Sequence, residues 1–186
     1  MRLRLLTAFC AAVAACCALA VAGFAQRGDQ RRTLATVLKD AAGKPVGTVV
    51  MTAASATSPV EVRVAARRLK PGFHGFHVHA VGKCEAPGFK SAMGHLKAAG
   101  QNHAGHDGDM PSLLVKRNGT ASLQLTTDRF TLGDLRDRDG SAVMVHAGPD
   151  DYANIPPRYA PGGPDQETLD TGDSGDRVAC GRIAPG

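Results

Sequence analysis

The sequence predicts an all-β domain, an antiparallel sandwich or Greek-key barrel, and three observations predict it. Apolar and polar residues alternate with period two over several short runs. Turn residues, drawn from 22 Gly and 11 Pro in 186 residues, separate those runs. No stretch carries the 3.6-residue periodicity of an amphipathic helix of useful length. One domain suits this length, and 43% hydrophobic residues suffice for a core.

The elements follow in order. Residues 33–40, TLATVLKD, alternate loosely. Residues 44–53, KPVGTVVMTA, form a second β-rich run. In VEVRVAARRL, Val60, Val62 and Val64 share one face, with Glu61 and Arg63 opposite. GFHGFHVHA, residues 72–80, is the fourth run. SLLVKRNGTASLQLTT reads as a hairpin around Asn118-Gly119. Asp139-Gly140 turns the chain into SAVMVHA, and RVACGRIA is the last run, giving about eight strands. Two segments, from about 80 to 112 and about 148 to 176, are too long for mere connections.

The N-terminus reads as an address. Arg2 and Arg4 precede an uncharged stretch over residues 5–25, the pattern of a secretory signal cleaved after Ala25. VAAC, ending at Cys16, also resembles a lipobox that would carry a lipid on Cys16, and the run is long enough to serve as an uncleaved anchor. All three readings place the domain outside the cytoplasm, with residues 26–32 as a short linker and 33–186 as the folded part. Any membrane attachment runs through the leader alone. The formal charge of +5 includes the two leader arginines, and no Lys/Arg block appears, which excludes a nucleic-acid partner from the reading.

Cys10, Cys16 and Cys17 belong to the leader, leaving Cys84 and Cys180. Two thiols in an exported domain favour one disulfide over two unpaired buried cysteines. Chain-entropy reasoning puts so long a closure at about 4.7 kcal/mol.

The histidines carry the chemistry. Residues two apart in a strand point the same way, so His77 and His79 share a face with Gly75, while Phe76 and Val78 face the core. Beyond them, GHLKAAGQNHAGHDGDMPSL holds His95, His103, His106 and Asp109, a donor set suited to tetrahedral zinc. A solvated loop with incidental histidines is the plainer reading of that stretch. His146 ends the apolar run SAVMV.

Taken together, GFHGFHVH, CEAPGFKSAMGH, HDGDMPSLLV, VMVHAG and TGDSGDRVACG resemble the exported bacterial copper–zinc superoxide dismutases, from residue 33 to the C-terminus. The resemblance implies an eight-stranded antiparallel Greek-key β-barrel, a flattened sandwich with two long functional loops. It implies a copper ion held by His77, His79, His95 and His146, and a zinc ion held by His95, His103, His106 and Asp109. His95 would bridge the two. Asp150 would link ligands of both metals from behind, and His74 would brace backbone. Cys84 and Cys180 match the family disulfide. Arg177 matches the arginine at the mouth of the copper channel, so superoxide is the expected substrate. The other class of function on this fold is a non-catalytic copper-binding or copper-delivery module, which typically lacks copper ligands or the channel arginine. Three departures stand out: Leu96-Lys97-Ala98 in place of Phe-Asn-Pro, only two residues between His103 and His106, and Arg182 in the last strand. Arg182, expected outside with Cys180, weakens the case for the homodimer of eukaryotic members.

Overall fold

Alternating valines and hydroxyl residues favour extended chain, because branched side chains pack well on a pleated surface. In a computed structural model describing residues 32–186, these runs become eight strands: β1 (Arg32–Lys39), β2 (Pro45–Ala53), β3 (Val60–Ala66), β4 (Gly72–His79), β5 (Asp109–Val115), β6 (Ala121–Thr127), β7 (Ser141–His146) and β8 (Arg177–Ile183). The expected leader, its cleavage point at Ala25 and the lipobox cysteine Cys16 lie outside the described residues.

The strands form one sheet in the order β5-β4-β7-β8-β1-β2-β3-β6, antiparallel at every pairing. The sheet curls into a nearly closed barrel. The β3–β4 and β6–β7 connections cross between its halves, the Greek-key feature. Inward residues fill the interior: Leu38, Val49, Val62, Phe76, Leu113 and Val145 are each at most 1% exposed. Truncating Phe76 to Ala would cost roughly 3–5 kcal/mol.

The Asn118-Gly119 turn forms, with Lys116 N–H donating to Thr120 O at 2.8 Å and Gly119 at φ 78°. The expected hairpin does not continue beyond it. β5 pairs with β4 and β6 with β3, so the two strands diverge across the seam of the barrel. β5 also starts at Asp109, earlier than its apolar run suggested, because His77 pairs with Asp109.

Two features aim the loops at the site. β7 is buried on both faces. Val143 and Val145 enter the barrel core, while Ala142 and Met144 pack with Phe89, Ala92 and Cys180 under the first long loop. The Cys84–Cys180 disulfide forms there, with Cα atoms 5.7 Å apart. The second long loop contains a helix the periodicity did not show, α1 (Gln166–Thr171). Asp165 caps it by accepting from Thr168 N–H at 2.9 Å, and Gly172 ends it at φ 64°. Six residues are too few for a periodic signal, but Asp before and Gly after are its punctuation.

Candidate metal centre

β4 supplies His77 and His79 from its outer face, as the period of two requires. β7 supplies His146 from the adjacent strand end, since Phe76 pairs with Val145 and His79 with Ala142. The first long loop then runs back along β4. Leu96 N–H donates to Val78 O, Val78 N–H to Gly108 O, and Gly108 N–H to Leu96 O, each at 2.8 Å. This return forms a bridge between His79 and His95. Leu96 packs against the core, and Lys97 pairs with Asp170 at 3.0 Å.

Two donor clusters result. One ligand atom from each of His77, His79, His95 and His146 lies within 4.8 Å of all the others. The same holds for His77, His95, His103 and Asp109. His106 joins the second cluster with Nδ1 3.3 Å from His95 Nδ1 and 3.4 Å from Asp109 Oδ1. All six imidazoles and Asp109 are buried. Outward-facing β4 histidines thus become interior ones once the loops close over them.

Surrounding hydrogen bonds hold four of the rings by the far side. His77 Nε2 meets Asp150 Oδ2 at 2.6 Å, and His103 Nε2 meets Asp150 Oδ1 at 2.7 Å. His79 Nδ1 meets Met93 O at 2.9 Å, and His146 Nδ1 meets Gly175 O at 3.0 Å. Tyr152 N–H also donates to Asp150 Oδ1 at 2.7 Å. By contrast, His77 Nδ1 and His95 Nε2 are buried with no hydrogen-bond partner, and His103 Nδ1 faces the Asp109 carboxylate 3.1 Å from Oδ2. Buried polar atoms are normally paired, so the unpaired nitrogens call for another kind of partner, and a cation supplies it. His79 Nε2 and His146 Nε2, 3.3 Å apart, fit the same explanation. Imidazole nitrogens alone suit copper, and the imidazoles with a carboxylate suit zinc.

Electrostatics agree with neutral ligands on one side and a charged pairing on the other. Burial pushes His77 down to about 4, against the pull of Asp150. Burial and neighbouring His77 push His146 down to about 3. Burial holds His79 well below its ordinary value and lowers His106. Burial also opposes charge on His103, but the hydrogen bonds it donates to the Asp109 and Asp150 carboxylates prevail and raise it to about 9. Burial would raise both aspartates. Their histidine partners overcome it and hold both carboxyls well below the usual range.

A cleft of about 950 Å³ leads to the first cluster, with His95 and His146 among its lining residues and Arg177 beside them. Arg177 is held in place, Nη1 donating to Phe89 O at 2.8 Å and Nη2 to Met93 O at 2.6 Å. Cys180 is 2% exposed, whereas Arg182 is exposed and donates from Nε to Gly82 O at 2.7 Å. His74 sits apart from the clusters, its ring nitrogens 2.6 Å from His146 O and 2.8 Å from Lys70 O.

Some contributors gave little sequence signal. Arg129 Nη1 donates to Ala104 O at 2.8 Å and His106 O at 3.0 Å, gripping the loop between two histidines of the second cluster. Nothing in the pattern around Arg129 marks it. Gly172 stands where any Cβ would collide with Asp150 Oδ1 and His103 Nε2. A glycine after a short polar run was its only trace.

The copper/zinc superoxide dismutase family model matches residues 46–183. The chain is 48% identical over 134 residues to superoxide dismutase (Cu-Zn) of Mycobacterium tuberculosis, an alignment covering 64% of this chain and 56% of that protein. It therefore spans little more than half the length of that relative. The enzyme of the same name from Escherichia coli is 32% identical over 180 residues, covering 89% of this chain and 94% of its own. The solved Cu/Zn superoxide dismutase from Brucella abortus superposes with a TM-score of 0.64 at 29% identity, covering 82% of this chain and 99% of that one. With the family match running from β2 to the end of β8, and through every histidine of both clusters, the chain belongs to the copper/zinc superoxide dismutase family.

Proposed function

We propose that this chain is a superoxide dismutase, converting superoxide to oxygen and hydrogen peroxide. In this reading His77, His79, His95 and His146 hold one copper ion, and His95, His103, His106 and Asp109 one zinc ion. The observation that carries it is the four-imidazole cluster at the end of a cleft beside Arg177. Copper, when bound, supplies the one-electron oxidation and reduction that dismutation needs, while zinc, which has no redox chemistry, fixes ligand geometry.

The chain's own groups do the rest. Arg177 draws and orients the anion, and two backbone carbonyls keep its guanidinium from swinging away. His95 Nε2, buried without a hydrogen-bond partner, would hold copper and would be the ring atom open to a proton for the departing product only when it is not ligated. Asp150 ties the two halves by accepting from rings of both, which fixes tautomer and orientation. His77 and His79 are themselves fully buried, and the cleft reaches the cluster at His95 and His146. Export, through the leader read at residues 1–25, places the enzyme against periplasmic or extracellular superoxide, and the Cys84–Cys180 bond supports an oxidising compartment.

The test is metal analysis of the exported protein beside a superoxide-consumption assay. Copper, zinc and consumption together are the expected result. Both metals bound without consumption would instead make the chain a copper-binding or delivery module, and no metal at all would overturn the site.

A further inference from the structure

Among the described residues, Met93 stands apart from the other methionines. Met51, Met110 and Met144 are 1%, 2% and 0% exposed, whereas Met93 is 59% exposed and lines the cleft beside His95, His146 and Arg177. Its backbone lies at φ 61°, ψ −153°, a region essentially reserved for glycine, at a cost of about 1–3 kcal/mol. The surroundings hold it there. Its N–H donates to Lys90 O at 3.0 Å, and its carbonyl receives His79 Nδ1 at 2.9 Å and Arg177 Nη2 at 2.6 Å. A glycine would present the same carbonyl with less strain. What methionine adds is a thioether at the cleft mouth.

We propose that Met93 is an oxidation site, its thioether taking an oxygen atom from hydrogen peroxide leaving the cleft. The source of the peroxide rests on the dismutase reading above. The sulfur lone pair attacks one peroxide oxygen, an S–O bond forms and the O–O bond breaks. The other oxygen leaves as water with both protons, so sulfur loses two electrons and peroxide gains them. The product sulfoxide is reversible by methionine sulfoxide reductases. Oxidation leaves the Met93 carbonyl intact, so His79 and Arg177 keep their acceptor. The side chain thus consumes peroxide beside a set of oxidisable imidazoles without dismantling their support.

The experiment uses the whole folded protein in two arms. In the first, metal-free protein receives hydrogen peroxide and is peptide-mapped by mass spectrometry. One added oxygen on the Met93 peptide, and none on those carrying Met51, Met110 and Met144, is expected. Met93→Gly should show no early gain at all, and reductase treatment should remove the oxygen from the parent. Equal oxidation of the buried methionines would overturn the proposal. In the second arm, metal-loaded protein is fed superoxide with catalase in the bulk solution. Oxygen on Met93 despite the catalase supports local capture. Superoxide consumed with Met93 unmodified overturns it. Superoxide not consumed refutes the dismutase reading instead, and the first arm still decides the reactivity of Met93.

Discussion

Asp150→Asn removes one charge and turns one oxygen into a donor, and the structure says which partner suffers. Oδ1 has two partners, His103 Nε2 at 2.7 Å and the Tyr152 N–H at 2.7 Å, while Oδ2 has His77 Nε2 at 2.6 Å. With Nδ1 of each ring given to a metal, both Nε2 atoms are donors. An asparagine keeps its single oxygen where two donors converge and so turns its NH2 toward His77, donor against donor. His77 then loses its support while His103 keeps most of its own. Loss of such an outer partner typically costs about 10–100-fold in metal affinity, or about 1.4–2.8 kcal/mol. The expected result is that loss on copper, with a much smaller change on zinc. Asp150→Ala, which strips both partners, should weaken the two metals together. Competition titrations with chelators, each metal measured alone, read both. Equal weakening by Asn at the two sites, or none at either, would refute the asymmetry.

Other expected outcomes follow from the same geometry. Arg177→Ala should leave copper and zinc content nearly unchanged and lower the bimolecular rate with superoxide by about 10-fold or more, with a weaker salt dependence than the parent; pulse radiolysis across ionic strengths checks it. Lys at that position should recover attraction but not the planar docking of a guanidinium. Arg129→Ala should lower zinc affinity roughly fivefold, for about 1 kcal/mol of lost hydrogen bonding, and leave copper affinity alone; Co(II) titration of the zinc site, followed by its d–d bands, reads the change. For the metal-free protein, His77 near 4 and His146 near 3 are depressed below the unfolded value of 6.5, so the unfolded chain binds more protons and stability falls as pH drops from about 6.5 toward 3. His103, raised to about 9, works the other way, and its contribution is lost as pH rises from about 6.5 to 9. Denaturant midpoints of metal-free protein should therefore peak near neutrality. A monotonic rise to pH 9 would count against the His103 pairing.

Much of the barrel was legible because strand periodicity is local. Val60, Val62 and Val64 declare their face without help from elsewhere, and so do His77 and His79. Pairing is not local, which is why Asn118-Gly119 announced a turn correctly and a hairpin wrongly. Each flanking strand found a better neighbour in β4 or β3. The clustered histidines could be read from type and spacing, yet their burial could not, since it depends on loops folding back over β4. Asp150 was visible only through the family resemblance. Arg129 had no signal at all, because its partners are backbone carbonyls and any sequence supplies those. The strained Met93 sits in a motif that was noticed, but φ is not written in a residue name.

β8 reaches the first long loop at three points: Arg177 to the carbonyls of Phe89 and Met93, Cys180 to Cys84, and Arg182 to the carbonyl of Gly82. Two of these tethers are hydrogen bonds that open and close freely, while the middle one is covalent and changes only with the thiol chemistry of the surroundings. The loop that shapes the guanidinium's seat is therefore latched by a bond that a reducing compartment would undo. A chain retained among reduced thiols would keep its imidazoles on β4 and β7 and lose the latch behind its anion-docking group. On the dismutase reading, how fast superoxide is captured then depends on whether the Cys84–Cys180 bond has formed.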